Sequence, residues 1–282
     1  MRAQRLVVLA RARYTKSRLR YLTARHKERI MTRQALAQMI DHTQLSPLAT
    51  TADIERLCDE ARRFGFASVC VNPCYVATAH DLLVDSEVKT CTVIGFPLGA
   101  EATADKAAAA RNAVASGADE IDMVVNLGLV KEGDFEAVED EIHVVVEDCR
   151  AEGRETGKTV TVKVILETCY LTDDEVTESA LAALRAGADF VKTSTGLASP
   201  KAADGSPLPN GATVHHVTLL AQTVGGRMGI KASGGIRTTA TARALIEAGA
   251  TRLGTSSAPA LLDAWQAEAA RDEHGHGGVS AP

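Results

Sequence analysis

Aromatic residues make up only 4% of the 282 positions, with a single tryptophan. That scarcity removes the stacking platform of a single-strand nucleic-acid binder, and no nucleic-acid partner is expected. No apolar run approaches the roughly 18 to 20 residues of a membrane span, so no membrane partner is expected either. There is no CxxC pair and no secretory signal. The six cysteines (Cys58, Cys70, Cys74, Cys91, Cys149, Cys169) are scattered, mostly through apolar stretches, which fits reduced thiols in a cytoplasmic protein. No GxGxxG turn follows an early strand, which argues against a dinucleotide site.

What is present is 45% hydrophobic content over a length that single α/β barrels commonly occupy. Charge is unevenly spread. Residues 1–30 hold ten Lys/Arg against one acid, Glu28, and the remainder holds 21 basic and 35 acidic residues. Such a basic stretch reads as a transit peptide, a nucleic-acid arm, or an extension upstream of a start at Met31. We favour the last, because MTRQALAQMIDHTQL reads as the opening of an ordinary domain. The expected organisation is a basic extension over 1–30, a barrel over 31–265 and a flexible tail over 266–282.

From Met31 onward, short β-rich runs alternate with helical stretches rich in alanine and charge. The strand candidates are MIDHT (39–43), SVCVN (68–72), TCTVIG (90–95), EIDMVVN (120–126), TVKVILE around Lys163, FVKTS (190–194), GIKAS (229–233) and TRLGTS (251–256). Three intervening helical patterns end in the same punctuation, at Ser116-Gly117, Ala186-Gly187 and Ala248-Gly249, as glycine C-caps leading into tight αβ loops do. Eight strands with intervening helices predict a single-domain, TIM-type (β/α)8 barrel; an open doubly wound sheet is the alternative.

Lys163, Lys192 and Lys231 each lie within or at the end of a strand-like apolar run. Lysine is rarely buried unless paired, because its ammonium loses hydration in an apolar interior. Snorkelling to a strand end explains any one of them; three together point to a shared site using amine chemistry. Asp122, Lys163, Lys192 and Lys231 come from the fourth to seventh candidate strands, and barrel chemistry sits at strand C-terminal ends. A lysine is a poor nucleophile at its reference pKa of about 10.4. A second ammonium about 6 Å away, at an effective dielectric near 20, lowers that by about 2 units, freeing an amine for a Schiff base. Asp122 serves either as an acid/base group acting through water or as a structural ion pair. Ser233-Gly234-Gly235-Ile236-Arg237 and Gly254-Thr255-Ser256-Ser257 follow the seventh and eighth strands, where barrels commonly hold a phosphate.

IDHTQL, VCVNP, VIGFPLG, EIDMVVNLG, VKVILET, FVKTSTG, GATVHHV, KASGGIR and EAGATRLGTSS together resemble the deoxyribose-phosphate aldolase family, from about residue 33 to residue 265. The resemblance implies a class I aldolase that uses no metal and no cofactor, reversibly cleaving 2-deoxy-D-ribose 5-phosphate to acetaldehyde and D-glyceraldehyde 3-phosphate. By motif it makes Lys192 the Schiff-base nucleophile and Lys231 the neighbour that lowers its pKa and moves protons. Asp122 becomes the acid/base partner, and Lys163 a support for the charge network. Gly196, Gly234, Gly235, Ser256 and Ser257 match phosphate-site positions, with Arg237 adding charge. Asp41, Thr43 and Cys70 resemble substrate-pocket positions. Residues 1–30 have no counterpart in the family pattern, and the tail RDEHGHGGVSAP lacks the terminal tyrosine of some members.

His274 and His276 read as tail rather than metal ligands, and His215-His216 shows no companion ligands at metal spacing. Cys70 and Cys74 read as core or pocket thiols. Two other functions fit parts of the pattern: a phosphate-binding barrel isomerase or synthase that would not need Lys192, and a non-catalytic sugar-phosphate sensor or nucleic-acid binder using the basic N-terminus. Homo-oligomers are common for such barrels.

Overall fold

The structure, a computed structural model, describes residues 31–275. The basic stretch over 1–30 and the last tail residues, His276 included, lie outside the described residues. Eight strands are present among those described: β1 (Ile40–Gln44), β2 (Ser68–Val71), β3 (Lys89–Ile94), β4 (Glu120–Val124), β5 (Thr161–Ile165), β6 (Phe190–Lys192), β7 (Gly229–Ser233) and β8 (Arg252–Thr255). They pair in parallel in sequence order, and β8 closes onto β1 through Ile40–Leu253 and Asp41–Gly254. The chain is therefore a closed (β/α)8 barrel, as expected.

The helices are α1 (Arg33–Ala37), α2 (Thr51–Phe64), α3 (Val76–Leu83), α4 (Thr103–Ala115), α5 (Leu127–Glu132), α6 (Phe135–Thr156), α7 (Asp173–Arg185), α8 (Val214–Val224), α9 (Thr239–Glu247) and α10 (Ala258–Gly275). Their starts are set by local chemistry. Thr50 with Asp53, and Thr172 with Glu175, form reciprocal capping boxes at α2 and α7. Their buried faces follow the helical period; α2 buries Ile54, Leu57, Cys58 and Ala61. The glycines after Ser116, Ala186 and Ala248 follow helix C-caps. Helix α10 continues to Gly275, ten residues beyond the expected barrel end at 265. No helix among the described residues is long and apolar enough to cross a membrane.

Strand pleating divides the interior into two worlds. The outward set, such as Val69, Ile121, Met123, Val162, Val164, Val191, Ile230 and Leu253, joins the main apolar core beneath the helices. Inside the barrel, Cys70, Cys91 and Val93 of β2 and β3 form a small apolar cluster with Leu45 and Phe96. Much of the rest of the lumen, where barrels ordinarily stack branched aliphatic side chains, is occupied by charged side chains, with Val124 and Ile165 also on the inward face.

Candidate active site

Asp122 lies at the centre of that charge, fully buried. Its Oδ2 accepts hydrogen bonds from both Lys192 Nζ at 2.7 Å and Lys231 Nζ at 2.6 Å, and its Oδ1 accepts from Lys163 Nζ at 2.7 Å. Ladder register explains the convergence: Asp122 pairs with Lys163 across β4–β5, and Lys192 with Lys231 across β6–β7. Lys163 also meets Glu120 at 2.6 Å and Asp41 at 3.6 Å. Lys231 forms a second ion pair with Asp41. Arg252 closes the network from β8, 2.6 Å from Asp41 and 3.1 Å from Glu120.

The electrostatics follow from this wiring. Burial alone would raise the Asp122 carboxyl, yet Lys163, Lys192 and Lys231 outweigh it and hold it well below the usual carboxylate range. Asp41 is depressed in the same way by Lys231, Lys163 and Arg252 acting against its burial. Burial pushes Lys231 down, but Asp122 and Asp41 more than compensate and keep its amine above the ordinary lysine range; Lys163 behaves likewise through Asp122, Cys91 and Glu120. Burial also lifts the Cys91 thiol well above its usual value, and the thiol donates to Asp122 Oδ1 at 3.3 Å. Lys192 differs in wiring. Asp122 is its single carboxylate contact among the described residues, and it faces an open cavity.

That cavity, of about 470 Å³, has Lys192 and Lys231 in its wall and the loops after β1, β6, β7 and β8 around it. Thr43, Gly196, Gly234, Gly235, Arg237 and Ser256 of the expected pocket set line it. Asp41, Asp122, Lys163 and Cys70 are fully buried and absent from its lining. Ser257 is also absent from the lining; its backbone N–H donates to Thr255 Oγ1 at 3.0 Å. Gly234 has φ 88°, and a Cβ there would come 2.8 Å from Gly211 Cα and 3.3 Å from Gly196 Cα. Two loops, those after β6 and β7, thus touch backbone to backbone at the rim through glycines, where a side chain would not fit.

Several residues at this site carried no sequence signal strong enough to single them out. Glu120 and Arg252 stand two positions before Asp122 and Gly254, so strand periodicity alone puts them in the lumen. Gly254 makes room for the Lys231 stem, since a Cβ there would sit 3.2 Å from Lys231 Cε. Glu167 adopts φ 54° just past β5 and accepts from the Thr195 N–H at 3.1 Å and from its hydroxyl, tethering the loop that carries Gly196. Lys106 is a fourth buried lysine, held on the outer side of the barrel by Glu141 at 2.9 Å and by the Gly99 and Val124 carbonyls.

Two groups of side chains in the lumen, Cys70-Cys91-Asp122 and Asp41-Cys91-Glu120, have metal-ligand spacing. The ammonium groups already seated on these carboxylates oppose a cation there. The third such group corrects the reading of His215-His216 as lacking a companion. Folding brings Asp173 to them, and its carboxylate meets His215 Nε2 at 2.8 and 3.0 Å.

Paired amines on one buried carboxylate, open to a cavity with a glycine-built rim, define a barrel enzyme of the Schiff-base aldolase class. The chain belongs to the DeoC/LacD family of aldolases, whose profile matches residues 35–267. It is 55% identical over 227 residues to deoxyribose-phosphate aldolase of Carboxydothermus hydrogenoformans, covering 80% of this chain and 93% of that one. It is 50% identical over 230 residues to the Thermoanaerobacter pseudethanolicus enzyme of the same name, covering 82% and 96%. The Aeropyrum pernix deoxyribose phosphate aldolase structure, described as tetrameric, superposes with a TM-score of 0.75 at 36% identity over 86% of this chain and 95% of that one.

Proposed function

We propose that this chain is a class I deoxyribose-phosphate aldolase working in deoxyribose phosphate catabolism. It would reversibly cleave 2-deoxy-D-ribose 5-phosphate to D-glyceraldehyde 3-phosphate and acetaldehyde. The observation that carries the reading is the meeting of Lys192 and Lys231 on Asp122 Oδ2 beside the cavity. Lys192 Nζ attacks C1 of the open-chain sugar, and loss of water leaves an iminium. The C3 hydroxyl gives up its proton, the C2–C3 bond breaks, and its electrons pass into the iminium as an enamine, releasing the phosphorylated aldehyde. Protonation at C2 and hydrolysis then free acetaldehyde and restore the amine. Lys231 and Asp122 serve as the proton donor and acceptor pair through water, with Lys163 holding Asp122 in place.

The phosphate is assigned to the rim of Gly196, Gly234, Gly235, Arg237, Ser256 and Ser257, supported by the backbone contacts there. Thr43 borders the sugar, and Asp41 and Cys70 lie beneath it. The catalytic unit is read as the barrel over 31–265, without metal or cofactor, with 1–30 and 266–282 as extensions. The free cysteines support a cytoplasmic setting, and the tetramer described for the Aeropyrum pernix protein supports a homo-oligomer. Borohydride reduction with acetaldehyde present tests the central claim: a two-carbon mass increment on Lys192 is expected, and an unmodified Lys192 under turnover conditions refutes it.

A further inference from the structure

The lumen network holds four cations, Lys163, Lys192, Lys231 and Arg252, against three carboxylates, Asp41, Glu120 and Asp122. Fully charged, it carries one positive charge too many for a buried site, where an unbalanced charge is costly. One amine can give up its proton with every carboxylate still paired. Contacts distinguish the amines: Lys163 touches three carboxylates, Lys231 two and Lys192 one.

Glu120 and Arg252 occupy the end of this network away from the cavity. Glu120 also borders a second hollow, with Lys89, Asp119 and Lys158, at the opening ends of β3, β4 and β5. Arg252 Nη1 lies 3.1 to 3.3 Å from both oxygens of Glu120, and the guanidinium stands over the Phe190 ring at 5.5 Å. Neither residue lines the cavity where a substrate would sit. Among the described residues, the other ionisable neighbours inside the barrel are the thiols of Cys70 on β2 and Cys91 on β3.

We propose that Glu120 and Arg252 are positioning residues that set the proton count of the lysine cluster, and hence the lowest pH at which Lys192 is free to attack. This rests on the reading of Lys192 as the nucleophile. Each acts by its charge through Lys163, Asp41 and Asp122, so opposite charges must act in opposite directions. Removing Glu120 leaves more excess positive charge and favours proton loss; removing Arg252 abolishes the excess and keeps every amine protonated. A role in packing or folding alone would give no such opposition of sign.

The test is the acidic limb of the pH profile of kcat/KM for deoxyribose 5-phosphate cleavage by the full chain, which reports the free enzyme's essential base. In Glu120→Gln the limb moves about one pH unit lower, and in Arg252→Met about one unit higher, the size a unit charge produces across a few side chains at an effective dielectric near 20. At a pH on the limb, Arg252→Met therefore loses roughly tenfold in kcat/KM. Arg252→Lys, which keeps the charge, leaves the limb near that of the parent, and the Glu120→Gln/Arg252→Met double variant returns to it. Limbs that stay put, or shift in the same direction in both single variants, overturn the proposal. If Arg252→Met fails to fold, Glu120→Gln and Arg252→Lys still decide it, because a Glu120→Gln limb that does not fall refutes it. Borohydride trapping of the parent chain keeps the two readings apart: no Lys192 adduct sinks the proposed function, and an adduct with unmoved limbs sinks this inference alone.

Discussion

At the scale of single residues, Asp122 and Lys192 have opposite relations to stability. Asp122 contacts three lysines, so Asp122→Asn strands buried ammonium groups and is expected to cost about 3–5 kcal/mol in a denaturant titration. It also removes the acid/base group, with a fall in kcat of about 10²- to 10⁴-fold. Lys192 has one carboxylate partner in a cluster with a surplus of cations. Lys192→Met is therefore expected to leave stability within about 1 kcal/mol of the parent while abolishing the aldehyde adduct and lowering turnover by about 10³-fold or more. A Lys192→Met protein that still turns over normally would remove the nucleophile from the scheme. The three lumen lysines were visible in the sequence because a cation within an apolar strand is anomalous. Lys106 was not, because a lysine in the alanine-rich stretch TADKAAAA looks like any solvated helix position. Glu120 and Arg252 were hidden for a similar reason: each opens its strand, where a charged residue normally faces water.

At the scale of elements, the rim is a backbone construction and depends on residues that have no functional group to read. Gly234 combines a left-handed backbone with contact against Gly211 and Gly196, so Gly234→Ala introduces strain of about 1–3 kcal/mol and pushes the loops after β6 and β7 apart. The expected outcome is a KM for deoxyribose 5-phosphate raised about tenfold or more, with KM for unphosphorylated deoxyribose little changed. A parallel rise for both sugars would move the phosphate elsewhere. Glu167 works on the same rim from beneath, through its two contacts to Thr195. Here the sequence reading was partial. GGIR and GTSS pointed to two of the loops that line the cavity because their strand order could be counted, but FVKTS was read as strand to Ser194, whereas β6 stops at Lys192 and the chain turns into the rim. The approach of Gly211 to Gly234 spans 23 positions of chain, and no local pattern encodes it.

At the scale of the whole molecule, a barrel with a buried ion-pair network in its lumen should show its interior in the pH dependence of folding. Asp41 and Asp122 lie below their ordinary carboxylate values in the folded state, so the unfolded chain takes up protons first as pH falls. Their contribution is complete above the unfolded value of about 3.9 and is lost as pH drops through it towards the folded one. Lys163 and Lys231 lie above the ordinary lysine range, so their contribution is complete below about 10.4 and is lost as pH rises beyond it. His42 adds a smaller slope on the acid side: burial keeps its ring below its usual value despite Glu60, so folding weakens as pH falls past about 6.5. Melting temperature measured across pH should therefore form a broad maximum between about pH 6.5 and 10, falling gently at first on the acid side and then steeply below about pH 4, with a second fall above about pH 10. Added salt should leave the positions of these falls nearly unchanged, because the pairs responsible are buried and poorly screened. In Asp122→Asn the steep acid fall should become shallower, since one depressed carboxylate is gone; an unchanged acid limb in that variant would show that the lumen network does not govern acid unfolding.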